Sequence, residues 1–252
     1  MEAILTVIIG MCIGMLITLT SVGSGIVMVP LLLHAGVSPM YALGSNFFFV
    51  LTVKTISAIR YYRVGEVDAH ALWRMLASAG VGLLAGLGML WWLTSHYSHA
   101  TVEGIIVWML TIAILLSAGL YAANELTDLS SRVRGRYMVI LAGLLTGFIT
   151  QTTSVGSGVF ILMLLGRHFK TASRLIGTNM VFSLLVSLLA TLGYLSVGKV
   201  DLTLVVLLIS GGLFGVLIGS RVGKLLSEYQ HRALLTLMIA LSVVLMLMKV
   251  IG

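Results

Sequence analysis

Charge is scarce in this chain: Asp, Glu, Lys and Arg make up 9% of its 252 residues, against roughly 25% in an average soluble domain. That scarcity excludes an ordinary water-facing surface. The residues present instead are 59% hydrophobic. They recur in apolar runs of about 20, long enough for a hydrocarbon core of about 30 Å. The loops between these runs leave no room for a soluble domain. A single cysteine, Cys12, excludes an intramolecular disulfide and any cysteine-based metal site. The beginning of the chain carries Glu2 rather than a basic stretch, and no small-residue cleavage pattern follows, so no signal peptide is expected. No nucleotide-binding loop is found. The net charge of +7 would suggest nucleic acid in a soluble protein. Here it reads as membrane topology, and no nucleic-acid partner and no cofactor are expected.

The chain also contains the same segment twice. Thr20-Ser21-Val22-Gly23-Ser24-Gly25 returns as Thr153-Ser154-Val155-Gly156-Ser157-Gly158, and 153 minus 20 gives an offset of 133. Without a gap, Gly44-Ser45-Asn46 falls on Gly177-Thr178-Asn179, and Val64–Asp68 falls on Val197–Asp201. Residues 20–68 and 153–201 share 18 identities over 49 positions. Each copy interrupts an apolar helix with glycines and hydroxyls. Duplicated, broken helices in a membrane protein are a mark of secondary transporters.

The pattern predicts an all-α integral membrane protein of two inverted repeats, 1–128 and 129–252, with four helical units each. The first half has a broken unit at 3–36 and helices near 39–62, 69–94 and 101–123. The second has a broken unit at 135–169 and helices near 172–196, 202–224 and 230–250. Asp68 and Asp201 are placed to cap helix starts. Positive charge in short loops sets orientation. If each broken unit is a hairpin with its Ser-Val-Gly-Ser-Gly tip in the membrane, four basic groups share one side. They are Arg60, Arg63 and Arg74; Arg132, Arg134 and Arg136; Arg167, Lys170 and Arg174; and Arg221, Lys224 and Arg232. If the units cross instead, the Arg167 group lands on the wrong side. The hairpin gives each half an odd number of crossings, hence inversion, with both termini outside. One long kinked span per unit stays open as the alternative.

In lipid, every freed backbone group needs a partner, so broken helices belong where protein or a polar cavity supplies one. Each tip frees several N–H groups beside three hydroxyls and starts a new half-helix, whose N-terminus carries partial positive charge. Inversion brings the tips together near the midplane, an arrangement suited to an anion. The candidate substrate-binding residues are therefore Thr20, Ser21, Gly23, Ser24 and Gly25 in the first tip. Thr153, Ser154, Gly156, Ser157 and Gly158 are their counterparts in the second. Glycines that merely relieve helix packing are the competing explanation, but packing does not demand the hydroxyl-rich string twice. Asn46 and Asn179 stand at matched places in the next helix and are added to the site. Gln151, aligned with Thr18, adds a donor on one side only. Lys54, whose mate is Ser187, is the one cation well inside a helix. It either serves the site or snorkels toward Arg60, about 9 Å of helix rise away. His34 and His168, beyond the half-helices, are candidate proton sensors.

A glycine-rich tip, then Pro30-Leu31-Leu32, Ala42-Leu43-Gly44-Ser45-Asn46, Tyr61 and Val64-Gly65-Glu66-Val67-Asp68, resembles the sulfite exporter family usually called TauE/SafE. Both halves carry the pattern, so the resemblance covers almost the whole chain. It implies an inner-membrane, multi-pass permease for sulfite, organosulfonates or related small anions, built from a duplicated half. It would put Ser21–Gly25, Ser154–Gly158, Asn46 and Asn179 around the substrate. Ser24 and Ser157 stand where the family often has glycine, and Met163 stands where the first copy has Pro30.

The leading expectation is thus a secondary-active permease for a small sulfur-containing oxyanion, working by alternating access in the lipid bilayer. Its driving force would be the anion gradient, protons or the membrane potential. Proton coupling and homo-oligomer formation are left open. A divalent metal-cation permease is the alternative, and it is disfavoured because no Asp, Glu or His falls at mid-membrane depth. An intramembrane serine hydrolase is weaker still, since His34 and His168 lie too far from their serines to act as base.

Overall fold

The structure, a computed structural model, describes residues 2–20, 24–127, 136–156, 171–197, 199–223 and 225–251. These form helices α1 (Glu2–Thr20), α2 (Gly25–His34), α3 (Pro39–Arg63), α4 (Ala69–His96), α5 (His99–Thr127), α6 (Arg136–Thr153), α7 (Ala172–Ser196), α8 (Leu202–Val222) and α9 (Glu228–Ile251). Among the described residues, 7 helices are long and apolar enough to cross a membrane; α2 and the apolar part of α6 are shorter. The break between α1 and α2 falls on the first tip. The half-helix expected after the second tip lies in 157–170, outside the described residues.

Helix starts follow their capping side chains. Asp68 accepts the Ala71 N–H at 3.0 Å, and Asp201 accepts the Leu204 N–H at the same distance. Thr171 caps α7 by accepting the Arg174 N–H at 3.2 Å. The start of α5 comes two residues earlier than expected. The Ser98 hydroxyl and carbonyl already take up the Thr101 and Val102 amides, so helical pairing begins there.

The duplication extends into the packing. α1 lies along α8, and α6 lies along α4. A Cβ placed on Gly14 would sit 2.3 Å from the Gly212 carbonyl oxygen, and one on Gly147 would sit 2.1 Å from that of Ala79. Adding 133 to 14 gives 147, and adding it to 79 gives 212, so the two contacts are copies. Gly215 against Met11 is copied by Gly82 against Leu144 in the same way. Backbones this close exclude side chains, which is why small residues carry the seams.

α3 and α7 meet directly. Gly44, early in α3, abuts the Lys199 carbonyl just beyond the end of α7, and Gly177, early in α7, abuts the Glu66 carbonyl just beyond the end of α3. The two matched helices therefore run antiparallel. Each crossing is pinned by a hydroxyl: the Asp68 N–H donates to Thr178 Oγ1 at 2.9 Å and the Asp201 N–H donates to Ser45 Oγ at 3.3 Å.

These contacts define two faces. The start of α3 and the start of α8 share one, the Lys199 face. α1 runs parallel to α8 and so leaves from that face. Lys249 Nζ, near the end of α9, donates to the Leu33 carbonyl at 3.2 Å, so α2 and α9 both end there. The opposite face holds Arg63, Arg74, Arg174, Arg221 and Arg232.

Replacing Gly14 with leucine should force α1 away from α8 and cost about 1–3 kcal/mol or more, as overpacking does. A Cβ on Gly88 would meet nothing within 4 Å, so leucine should be tolerated there. Thermal melts of the detergent-solubilised variants test this: a melting temperature lowered by several degrees for Gly14→Leu and near wild type for Gly88→Leu is expected.

Candidate functional site

The two tips touch. Ser24, fully buried, donates its hydroxyl to Asn46 Oδ1 at 2.5 Å, and Asn46 Nδ2 donates to Ser154 Oγ at 2.5 Å. A Cβ on Gly25 would fall 2.0 Å from the Ser154 carbonyl oxygen, so only glycine permits this approach. One amide from α3 thus bridges the first tip to the second. Its group of three is closed on itself, with donor and acceptor of Asn46 both used.

The second tip is shaped by its own hydroxyls. Ser154 has φ of 58° and Gly156 φ of 135°, both in the left-handed region, so the chain turns sharply out of α6. Thr153 Oγ1 donates back to the Ile149 carbonyl at 2.6 Å and accepts the Val155 N–H at 3.2 Å. The Ser154 N–H still reaches the Thr150 carbonyl at 2.7 Å. Thr20, at the matching place in the first tip, donates to the Leu16 carbonyl at 2.8 Å. Both threonines bond one turn back at the last residue of their helices.

Asn179 behaves differently from its mate. It is fully buried, and neither its Nδ2 nor its Oδ1 has a hydrogen-bond partner among the described residues. The positions matching Ser24 and Ser154 are Ser157 and Ser21, and both lie outside the described residues, as do Gly23 and Gly158. Gln151 Nε2 and Thr150 Oγ1 are also buried without a partner among the described residues. The Gln151 carbonyl is used: the Tyr194 hydroxyl donates to it at 3.0 Å.

Lys54 does not snorkel. It is 1% exposed, and its Nζ has no hydrogen-bond partner among the described residues. It lines a cavity of about 720 Å³ together with Thr18, Ser57, Tyr61 and Glu66, reaching His231 at the arginine-bearing face. Among the described residues no group of three or more His, Cys, Asp or Glu stands where it could hold a metal ion.

The structure thus joins Ser24, Gly25, Asn46 and Ser154 in one cluster and sets Lys54 beside a separate cavity of about 720 Å³. Sequence reasoning missed Ser45 and Thr178, which lock α3 to α7, although both sat beside the repeated asparagine. It also left Tyr194 without a role.

The model of the family described as "Sulfite exporter TauE/SafE" matches residues 6–246. The chain belongs to this family. It is a membrane transporter and not an enzyme. Among its relatives, "Probable membrane transporter protein YjnA" of Bacillus subtilis (strain 168) is 26% identical over 222 residues, covering 85% of this chain and 87% of that protein. "Probable membrane transporter protein YdhB" of the same organism is 23% identical, covering 82% of this chain and 84% of that protein. "Sulfite exporter TauE/SafE family protein 2" of Arabidopsis thaliana is 30% identical over 126 residues, 50% of this chain and 27% of that protein. No solved structure matches.

Within this TauE/SafE member the two asparagines should respond differently to removal. Asn46→Ala strands the buried hydroxyls of Ser24 and Ser154, at about 1–3 kcal/mol for each group left unsatisfied. At about 2–4 °C per kcal/mol for a protein of this size, its melting temperature should fall by several degrees. Asn179→Ala removes no described bond and should melt close to wild type. Equal losses for both would remove the distinction.

Proposed function

We propose that the chain is a secondary-active permease for a small sulfur-containing oxyanion, such as sulfite or a sulfonate. In this reading residues 1–128 and 129–252 are inverted repeats in a cell's inner membrane, and both termini face outward. The carrying observation is Lys54: a buried amine without a described partner, lining a cavity of about 720 Å³ that runs to the arginine-bearing face. A cationic donor in a low-dielectric pocket attracts an anion far more strongly than it would in water. The antiparallel pairing of α3 with α7 and the copied seams support two repeats of opposite direction. The gathering of arginines on one face supports placing that face in the cytoplasm.

The anion enters from the cytoplasm, drawn to the face that carries Arg63, Arg74, Arg174, Arg221 and Arg232. Lys54 balances its charge, and Thr18, Ser57 and Tyr61 supply hydroxyls along the way. The buried, unpartnered groups of Asn179 and Gln151 offer further hydrogen bonds, and the Ser24–Asn46–Ser154 cluster holds the tips together. Rocking of one repeat against the other then exposes the site to the far side. A monovalent anion gains about 2.3 kcal/mol per 100 mV when it leaves a negative interior, so the potential favours export. The names of the family and of the Arabidopsis relative fit this substrate class.

Reconstituted in liposomes, the protein should move sulfite, thiosulfate or a sulfonate in a voltage-dependent way. Lys54→Met should cut that flux at least tenfold without lowering the melting temperature. An imposed pH gradient tests for accompanying protons. Movement of nickel with no response to any anion would overturn the proposal.

A further inference from the structure

Two cavities of unequal size occupy equivalent places in the two halves. The larger, of about 720 Å³, is lined by Tyr61, Val64 and Glu66. The smaller, of about 80 Å³, is lined by Tyr194, Val197 and Lys199 at the opposite face. Adding 133 to the first three numbers gives the second three, so one cavity is the copy of the other, wide in one half and narrow in the other.

Tyr194 does the narrowing. It is 1% exposed, its hydroxyl donates to the Gln151 carbonyl at 3.0 Å, and its ring packs on Phe47 with centroids 5.5 Å apart. The groups equivalent to the Gln151 carbonyl and Phe47 are the Thr18 carbonyl and Met180. Both Thr18 and Met180 line the wide cavity beside Tyr61, which is half-buried there. Tyr61 therefore stands next to the partners that its mate has already taken in the other half.

The lining differs in one further respect. Met40, Leu87 and Leu90 line the narrow cavity where Ser173, Ser220 and Gly223 line the wide one. Opening the Lys199 face must displace three apolar side chains as well as break the Tyr194 hydrogen bond. Closing the arginine-bearing face has no such plug to help it.

We propose that Tyr61 and Tyr194 are the paired gate residues of the transport cycle. In the conformation described, Tyr194 seals the Lys199 face against the Gln151 carbonyl and Phe47. In the opposite conformation, Tyr61 swings onto the Thr18 carbonyl and Met180, while Tyr194 releases. The apolar plug of Met40, Leu87 and Leu90 makes the conformation open to the arginine-bearing face the resting one. This rests on the alternating-access reading above and adds to it the side chains that alternate.

Two reporters read the gates without any substrate. In a Cys12→Ser background, Leu90→Cys reports the Lys199 face and Ser220→Cys the opposite face. Each is labelled with a maleimide in detergent, where both faces are accessible. Leu90→Cys should react slowly and Ser220→Cys quickly. Adding Tyr194→Phe, which deletes one buried hydrogen bond of typical strength, should speed Leu90→Cys labelling about fivefold. Tyr61→Phe weakens only the opposite conformation, so it should slow Leu90→Cys further and leave Ser220→Cys fast. Labelling of Leu90→Cys unmoved by either phenylalanine, or raised equally at both reporters with a lowered melting temperature, would overturn the gate assignment. Labelling that responds as stated while no oxyanion moves in liposomes would instead sink the substrate assignment and leave the gates standing. Anion flux with indifferent labelling would do the reverse.

Discussion

Backbone that leaves a helix inside a bilayer must find partners there, because lipid supplies none. Most of this architecture answers that demand. The first tip breaks between α1 and α2, and Ser24 is held by Asn46; the second turns through Ser154, which Asn46 also holds. One side chain from α3 thus ties both breaks together through their hydroxyls. Gly25 can approach Ser154 only because it lacks a Cβ. Without that bridge, the glycines that open the helices would be defects with no purpose.

The bridge also divides labour between two equivalent asparagines. Asn46 is fully engaged, whereas Asn179 has no described partner. A duplicated sequence need not fold into two identical halves. The same inequality recurs in the cavities, one near 720 Å³ and its copy near 80 Å³. Lys54, whose mate is Ser187, puts a buried lysine beside the larger cavity, whereas its copy is bordered by Lys199.

Much of the frame was legible in the residues. Low charge and long apolar runs announce membrane helices, and the 133-residue offset locates matched breaks, caps and glycine seams. Asp68 and Asp201 mark helix starts because a carboxylate three residues before a free amide is a local arrangement. The site was legible only in outline. Ser24, Asn46 and Ser154 were expected as site residues, and that they bond to one another is something no local pattern reveals. Lys54 left two outcomes open, and only burial among α1, α3 and α8 decides between them. Tyr61 and Tyr194 were visible as a repeated pair without any hint that one would be sealed and the other not.

The sequence by itself determined that this is a duplicated helical membrane protein with paired hydroxyl-rich breaks, since composition, helix length and capping act over a few residues. Tertiary structure alone decided which hydroxyls are spent on each other, where the unsatisfied amine and amides stand, and which copy of the cavity is wide. Those outcomes depend on contacts between residues more than a hundred positions apart, such as Asn46 with Ser154. They also depend on the conformation in which the two halves have come to rest, and two chemically similar halves do not specify that locally.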